Sequence, residues 1–146
     1  MLNDNFKLKG RVDLVLSNQD GKVKEIITIP NLVVNTGKNF IAARMASAAN
    51  AVMSHMAVGN GNVAAAITDT TLGTEIARVA LTGNSASANS VVYSASFIAG
   101  TGTGAITEAG IFNASSGGEM LCRTVFAVVN KTAFDTLNVT WTVSTT

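Results

Sequence analysis

The chain has 146 residues, enough for one domain with its own core, so folding requires neither disulfides nor metals. Only 13% of the residues are charged and the net charge is +1, against roughly a quarter charged in an average soluble domain. That balance excludes an electrostatic nucleic-acid binder, and it predicts surfaces that lose little when desolvated against another subunit.

In chain order, residues 6–17 alternate Phe6, Leu8, Val12, Leu14 and Leu16 with Lys7, Lys9, Arg11 and Asp13. A period of two predicts a strand with one buried face, and Gly10 suggests a bulge in it. The turn signal Asn18-Gln19-Asp20-Gly21 leads into a second strand, Val23 to Val34, in which Pro30 marks an edge or a break. Residues 1–35 therefore read as an N-terminal β-hairpin or arm, either reaching a neighbour or adding two more strands to the same sandwich. Residues 36–146 read as a body. It opens with a helix at about 37–48, where Phe40, Ile41, Arg44, Met45 and Ala48 fall at helical spacing, Thr36 is the expected N-cap and the Phe/Met face is expected in the core.

Strands are then predicted at 54–60, 75–82, 91–98, 105–113, 120–129 and 136–143. The segments 62–74, 83–89 and 100–104 read as loops. Short strands at this spacing predict a mainly β fold: an antiparallel β-sandwich or jelly-roll-like domain with one short helix. Charge is uneven. Seven of the ten basic residues precede residue 45, and from Val79 to Gly118 the only charged residue is Glu108.

Catalytic chemistry finds little support. His55 is the only histidine and Cys122 the only cysteine, so an intramolecular disulfide is impossible, and the two lie too far apart in sequence to suggest a zinc site. No nucleophile elbow accompanies His55, which reads as structural, and Cys122 reads as a small buried apolar group. Gly59-Asn60-Gly61 lacks the spacing and the lysine of a phosphate loop. Glu75 and Glu108 could form a carboxylate couple of the glycosidase kind, but nothing in the sequence sets their separation. No catalytic residue, metal ligand or cofactor is assigned. The charges worth following are Glu75, Arg78, Glu108 and Arg123, each in an apolar strand neighbourhood. Burying a lone charge is costly, so Glu108 is expected to pair with Arg78 or Arg123, within the fold or across a subunit contact, with solvent-facing positions on a half-exposed sheet as the alternative.

An ordered series of segments resembles a known family. It runs Val58-Gly59-Asn60-Gly61, then Thr70-Thr-Leu72-Gly-Thr-Glu75-Ile-Ala-Arg78, then Ile106-Thr-Glu108-Ala-Gly110-Ile-Phe112-Asn113. The series is similar to the N-terminal attachment domain of phage tail-collar fibre proteins and related small virion proteins of tailed phages. The stretch Pro30 to Lys38 resembles segments of small phage structural proteins as well.

The resemblance implies a non-catalytic virion subunit at the tail, collar or fibre attachment. Its partners would be copies of itself and other virion proteins, with no nucleic acid and no membrane. No shaft or receptor-binding tip of a full tail fibre is present in this sequence, which leaves receptor recognition open and suggests a small adaptor, tail-appendage or decoration subunit. The alternative in the same class is a capsid decoration protein clamping capsomers, with the hairpin as its gripping arm. A carbohydrate-binding module is the rival from another class, and six Phe, one Tyr and one Trp offer it few aromatic platforms. The start MLNDNFKLKG has no signal-peptide apolar run and no stretch is long enough to span a bilayer as a helix, so synthesis in the bacterial host cytoplasm and residence in the virion are expected.

Overall fold

The computed structural model describes residues 7–146. Phe6, the expected start of the first strand, lies outside them. Along the chain come β1 (Leu8–Ser17), β2 (Val23–Pro30), β3 (Leu32–Val33), α1 (Asn35–Ala46), β4 (His55–Gly59) and β5 (Glu75–Ala80). Then follow β6 (Gly83–Ser87), β7 (Ser90–Phe97), β8 (Gly104–Phe112), β9 (Met120–Lys131) and β10 (Thr136–Thr145). They form two five-stranded antiparallel sheets, ordered β2-β1-β10-β7-β6 and β3-β9-β8-β4-β5, as the β-sandwich expectation requires.

The period-two pattern builds the core. In the first sheet Val12, Leu14 and Leu16 of β1 point inward with Leu137, Val139, Trp141 and Val143 of β10 and Tyr93, Ala95 and Phe97 of β7. Trp141 sits in register between Val12 and Tyr93 and is fully buried. Burial pushes the Tyr93 phenol up to about 12, with the Cys122 thiol adding to the shift. The second sheet answers with Met56, Val58, Ile106, Ala109, Ile111, Cys122, Phe126 and Val129. Side chains from two inner faces fill a sandwich of this kind, and burial of their apolar surface is its main stabilisation.

Of the two readings of the hairpin, the structure has its strands in the sandwich. β1 lies inside the first sheet, between β2 and β10, because its inward residues complete the common core. Other expectations change. The second expected strand divides at Pro30. β2 belongs to the first sheet and β3 to the second, so Asn31 carries the chain from one layer to the other. Gly10 makes no bulge; the β1–β2 irregularity falls at Leu16/Ser17. Instead Gly10 leaves the room that the Asn31 side chain fills. The segment 83–89, expected as a loop, contains β6, paired with β7 around a turn in which Ala88 has φ 51°. β6 carries no apolar alternation because both its faces are largely solvent-exposed, so pairing alone defines it.

The helix begins two residues earlier than expected, with Val34 as its N-cap. Thr36 does not cap it; its hydroxyl donates to the Met120 carbonyl at 2.7 Å. Gly37 and Phe40 are the buried residues of α1, while Met45 is 85% exposed and Ala48 lies beyond the helix. The core-facing stripe is narrow because α1 rests mainly on β9 alone. No helix among the described residues is long and apolar enough to cross a membrane.

The close seat of α1 on β9 gives a test. At an exposed helix position, Gly→Ala gains about 1 kcal/mol. At Gly37 a Cβ would overlap the Leu121 carbonyl group, so the sign reverses. Gly37→Ala is expected to destabilise by about 1–3 kcal/mol, read as a lower urea midpoint with an unchanged m-value.

Candidate functional site

Between Gly59 and Glu75 the chain leaves the second sheet and returns to it, and this 60–74 segment has no strand or helix of its own. Polar contacts to the outer face of the sheet hold it. β8 shifts register between Ile106 and Glu108. The shift lets Thr107 and Glu108 both reach the segment while Ile106 and Ala109 stay in the core.

Glu108 is completely buried. Its Oε1 accepts from the backbone N–H of Thr74 at 2.7 Å and of Gly61 at 2.9 Å. Its Oε2 accepts from the Gly73 N–H at 2.8 Å and from Arg123 Nη2 and Nε at 2.8 and 3.1 Å. Arg123 stands opposite Gly110 on the neighbouring β9 and is 2% exposed. The same guanidinium donates to Asp69 Oδ2 at 2.8 Å and to the Val63 carbonyl at 3.0 Å. Asp69 in turn accepts from the Ala66 N–H. Two carboxylates and one backbone carbonyl thus surround the buried Arg123 cation, while three backbone N–H groups complete the shell of the Glu108 carboxylate, so each buried charge is paired.

Glycine is a steric requirement of this clasp. A Cβ on Gly61 would stand 2.6 Å from Glu108 Oε1, and one on Gly59 would overlap the Thr74 carbonyl. Leu72 plugs the centre of the segment into a second small core with Val34, Ala57, Phe112 and Met120. Burial pushes the Glu108 carboxyl up, but the hydrogen bonds from Thr74, Gly73, Arg123 and Gly61 together outweigh it and hold the group below its ordinary value.

The other two followed charges form their own pair. Arg78 on β5 binds Glu75 through Nη2 at 2.7 Å and Nε at 3.3 Å. Its guanidinium carbon lies 3.8 Å from the centre of the Phe112 ring, and Nη1 reaches the Ala114 and Gly117 carbonyls at 3.0 and 2.9 Å. It therefore ties the β8–β9 connection to the sheet. Of the two partners expected for Glu108, the structure brings Arg123 and leaves Arg78 with Glu75. Both pairs lie within the chain.

Sequence reasoning missed Asp69, which directly precedes the quoted Thr70–Arg78 segment; its signal was a lone acid three residues ahead of the buried Leu72. It also missed the donors of Gly61, Gly73 and Thr74, which as backbone groups leave no side-chain trace. A second buried cluster went unsuspected. Lys131, 2% exposed, donates to the Ile98 carbonyl at 3.0 Å, and Lys24 of β2 binds Asp135 of the β9–β10 turn at 2.8 Å. The Lys24 hydrogen bond leads in holding Asp135 below the usual carboxylate range, while burial lowers Lys131 against the opposing charge of Asp135.

The acceptor sites of Glu108 are taken by partners within the chain, and Glu75 is paired with Arg78. His55 Nδ1 lies 2.8 Å from the hydroxyl of its neighbour Ser54. Cys122 is fully buried, and burial pushes its thiol well up, away from the reactive thiolate. Among the described residues no group of three His, Cys, Asp or Glu side chains could hold a metal ion. Compared with protein families, curated proteins and solved structures, the chain matches none of them.

Glu108→Gln removes one of the two counter-charges of Arg123 and turns one acceptor oxygen into an NH2 donor facing groups that are themselves donors. Glu108→Gln is expected to cost about 3–5 kcal/mol in urea unfolding. Because the folded carboxyl lies below its unfolded value, its stabilisation is complete above the ordinary carboxylate pKa of about 4.3 and fades as pH falls through the folded value. Wild-type stability should therefore drop on acidification below that range, and the drop should be shallower in Glu108→Gln. Equal slopes would remove the clasp as its source.

Proposed function

We propose that the chain is a non-catalytic structural subunit of a tailed-phage particle, at the tail, collar or fibre attachment, that works by packing against copies of itself and other virion proteins. The observation that carries this reading is an uncharged strip, from β10 through β7 to β6, that ends in an open edge; the β1 side of the same face carries Lys9, Arg11 and Asp13. On the outer side of the first sheet, β10 presents Thr136, Asn138, Thr140, Thr142 and Ser144. β7 adds Ser90, Val92, Ser94 and Ser96, and β6 adds Ser85 and Ser87. None of these side chains is ionised, so a partner could cover them without stranding a charge.

The edges sharpen the reading. β2 carries Lys24 and Glu25 and ends in Pro30, β5 carries Glu75 and Arg78, and β3 has two residues. Charges, prolines and short length are the usual protections of an edge strand. β6, Gly-Asn-Ser-Ala-Ser, has none of them and is mostly exposed. An antiparallel partner strand from a second copy would meet no like charge there. Exposed Val63, at 74%, and Ile67, at 49%, on the clasped segment offer a separate apolar contact for another protein.

The resemblance to fibre-attachment domains supplies the particle. Its separated segments, Gly59 to Gly61, Leu72 to Arg78 and Glu108 to Phe112, meet in the one clasp, which supports reading them as a structural unit. The decoration alternative loses the arm it relied on, since the hairpin is committed to the sandwich.

Light scattering behind size exclusion tests the packing claim. Wild type is expected to self-associate with rising concentration, and Ser85→Lys, which places a charge on the open edge, to shift it towards monomer with its melting unchanged. A wild type that stays monomeric at high concentration would count against the reading, and electron microscopy of particles carrying the labelled subunit would locate it.

A further inference from the structure

We propose that Asn60 is a site of self-deamidation that the Glu108 clasp holds shut, so that loss of its amide records each opening of the clasp. Asn60-Gly61 is the only Asn-Gly pair in the sequence. In such a pair the backbone nitrogen of the glycine loses its proton and attacks the side-chain carbonyl carbon of the asparagine. The new N–C bond closes a five-membered succinimide and ammonia leaves. Water then opens the ring at either carbonyl, giving Asp or iso-Asp. No co-reactant beyond water is needed. Glycine favours the step because it has no side chain to obstruct the approach and its backbone turns freely.

The clasp both creates this liability and restrains it. Residue 61 has to be glycine, since a Cβ there would stand 2.6 Å from Glu108 Oε1. Asn60 itself is exposed, so water has access to its side chain. Yet the nitrogen that would attack is the one whose N–H donates to Glu108 Oε1 at 2.9 Å. Removing that proton would set a developing anion against a buried carboxylate, an unfavourable pairing where the dielectric is low. Rotation is opposed as well. The Gly61 carbonyl accepts from the Thr107 hydroxyl at 2.7 Å, and the Asn60 N–H donates to the Thr74 carbonyl at 3.0 Å. The peptide between residues 60 and 61 is thus held from both sides, and attack requires the segment to lift from the sheet.

Once it reacts, the segment cannot return unchanged. Aspartate at 60 adds a negative charge to an exposed position beside Gly61, and iso-aspartate adds a methylene to a backbone held through Gly61 and Thr74. Local opening, which in folded proteins occurs well short of global unfolding, becomes a one-way event at this position.

The test follows the Asn60 amide by peptide mapping and mass spectrometry during incubation in mildly alkaline buffer. Folded wild type, wild type in urea, Glu108→Gln and Thr107→Val are compared, and circular dichroism reports which variants remain folded. Wild type is expected to convert slowly when folded and fast in urea. Thr107→Val, which removes one hydrogen bond and keeps the volume of the side chain, is expected to convert while folded roughly tenfold faster than wild type. Glu108→Gln is expected to approach the rate in urea. Equal rates for folded and urea-treated wild type would overturn the protection. No conversion in urea would overturn the site itself. A folded Thr107→Val that converts no faster than wild type would overturn the link to the clasp.

Discussion

The buried carboxylate of Glu108 is the constraint around which one side of the molecule is arranged. A charge fully removed from water survives only when its acceptor sites are filled, and here three backbone N–H groups and a guanidinium fill them. The donors come from Gly61, Gly73 and Thr74, at the two ends of a segment with no regular structure. One side chain thereby fixes a loop that hydrophobic burial alone would anchor only at Leu72. The glycines follow from the same contact, because the backbone must come within hydrogen-bond reach of the carboxylate with no Cβ between them.

The rest of the fold divides the labour differently. The first sheet needs no such device, since its inward faces are filled by alternating apolar residues, while its outward face carries mainly Ser, Thr and Asn on β10, β7 and β6 and Lys9, Arg11 and Asp13 on β1. Its stability comes from the core around Trp141, and its outer surface keeps little preference for water over another protein surface. A chain of this kind can spend its few charges inside: Arg123 and Lys131 are both almost fully buried. A low charged fraction and buried charges are two sides of one design, consistent with the proposed role as a packing subunit.

How legible this was depended on the range of the interaction. The strands with clean alternation, β1, β7 and β10, were readable from 6–17, 91–98 and 136–143 because the period of two is a local property. The exposed β6 was not, since an edge strand of small polar residues differs from a loop only through its pairing with β7. Met45 misled because helical spacing identifies a face without saying how wide a surface it meets. In the site, Glu108 and Arg123 stood out as ionisable residues in apolar surroundings, which is a local anomaly. Their choice of each other over Arg78 depended on strand order.

By itself, then, the sequence determined the strand periods, the antiparallel two-layer class, the break at Pro30 and the short set of charges that had to find partners. Only the tertiary structure decided that the first hairpin lies inside a sheet, that Pro30 and Asn31 carry the chain between layers, and that Glu108 takes Arg123 and three backbone donors. The physical reason is that hydrophobic period and turn chemistry act between near neighbours, whereas satisfying a buried charge depends on which distant backbone groups the finished topology brings within about 3 Å.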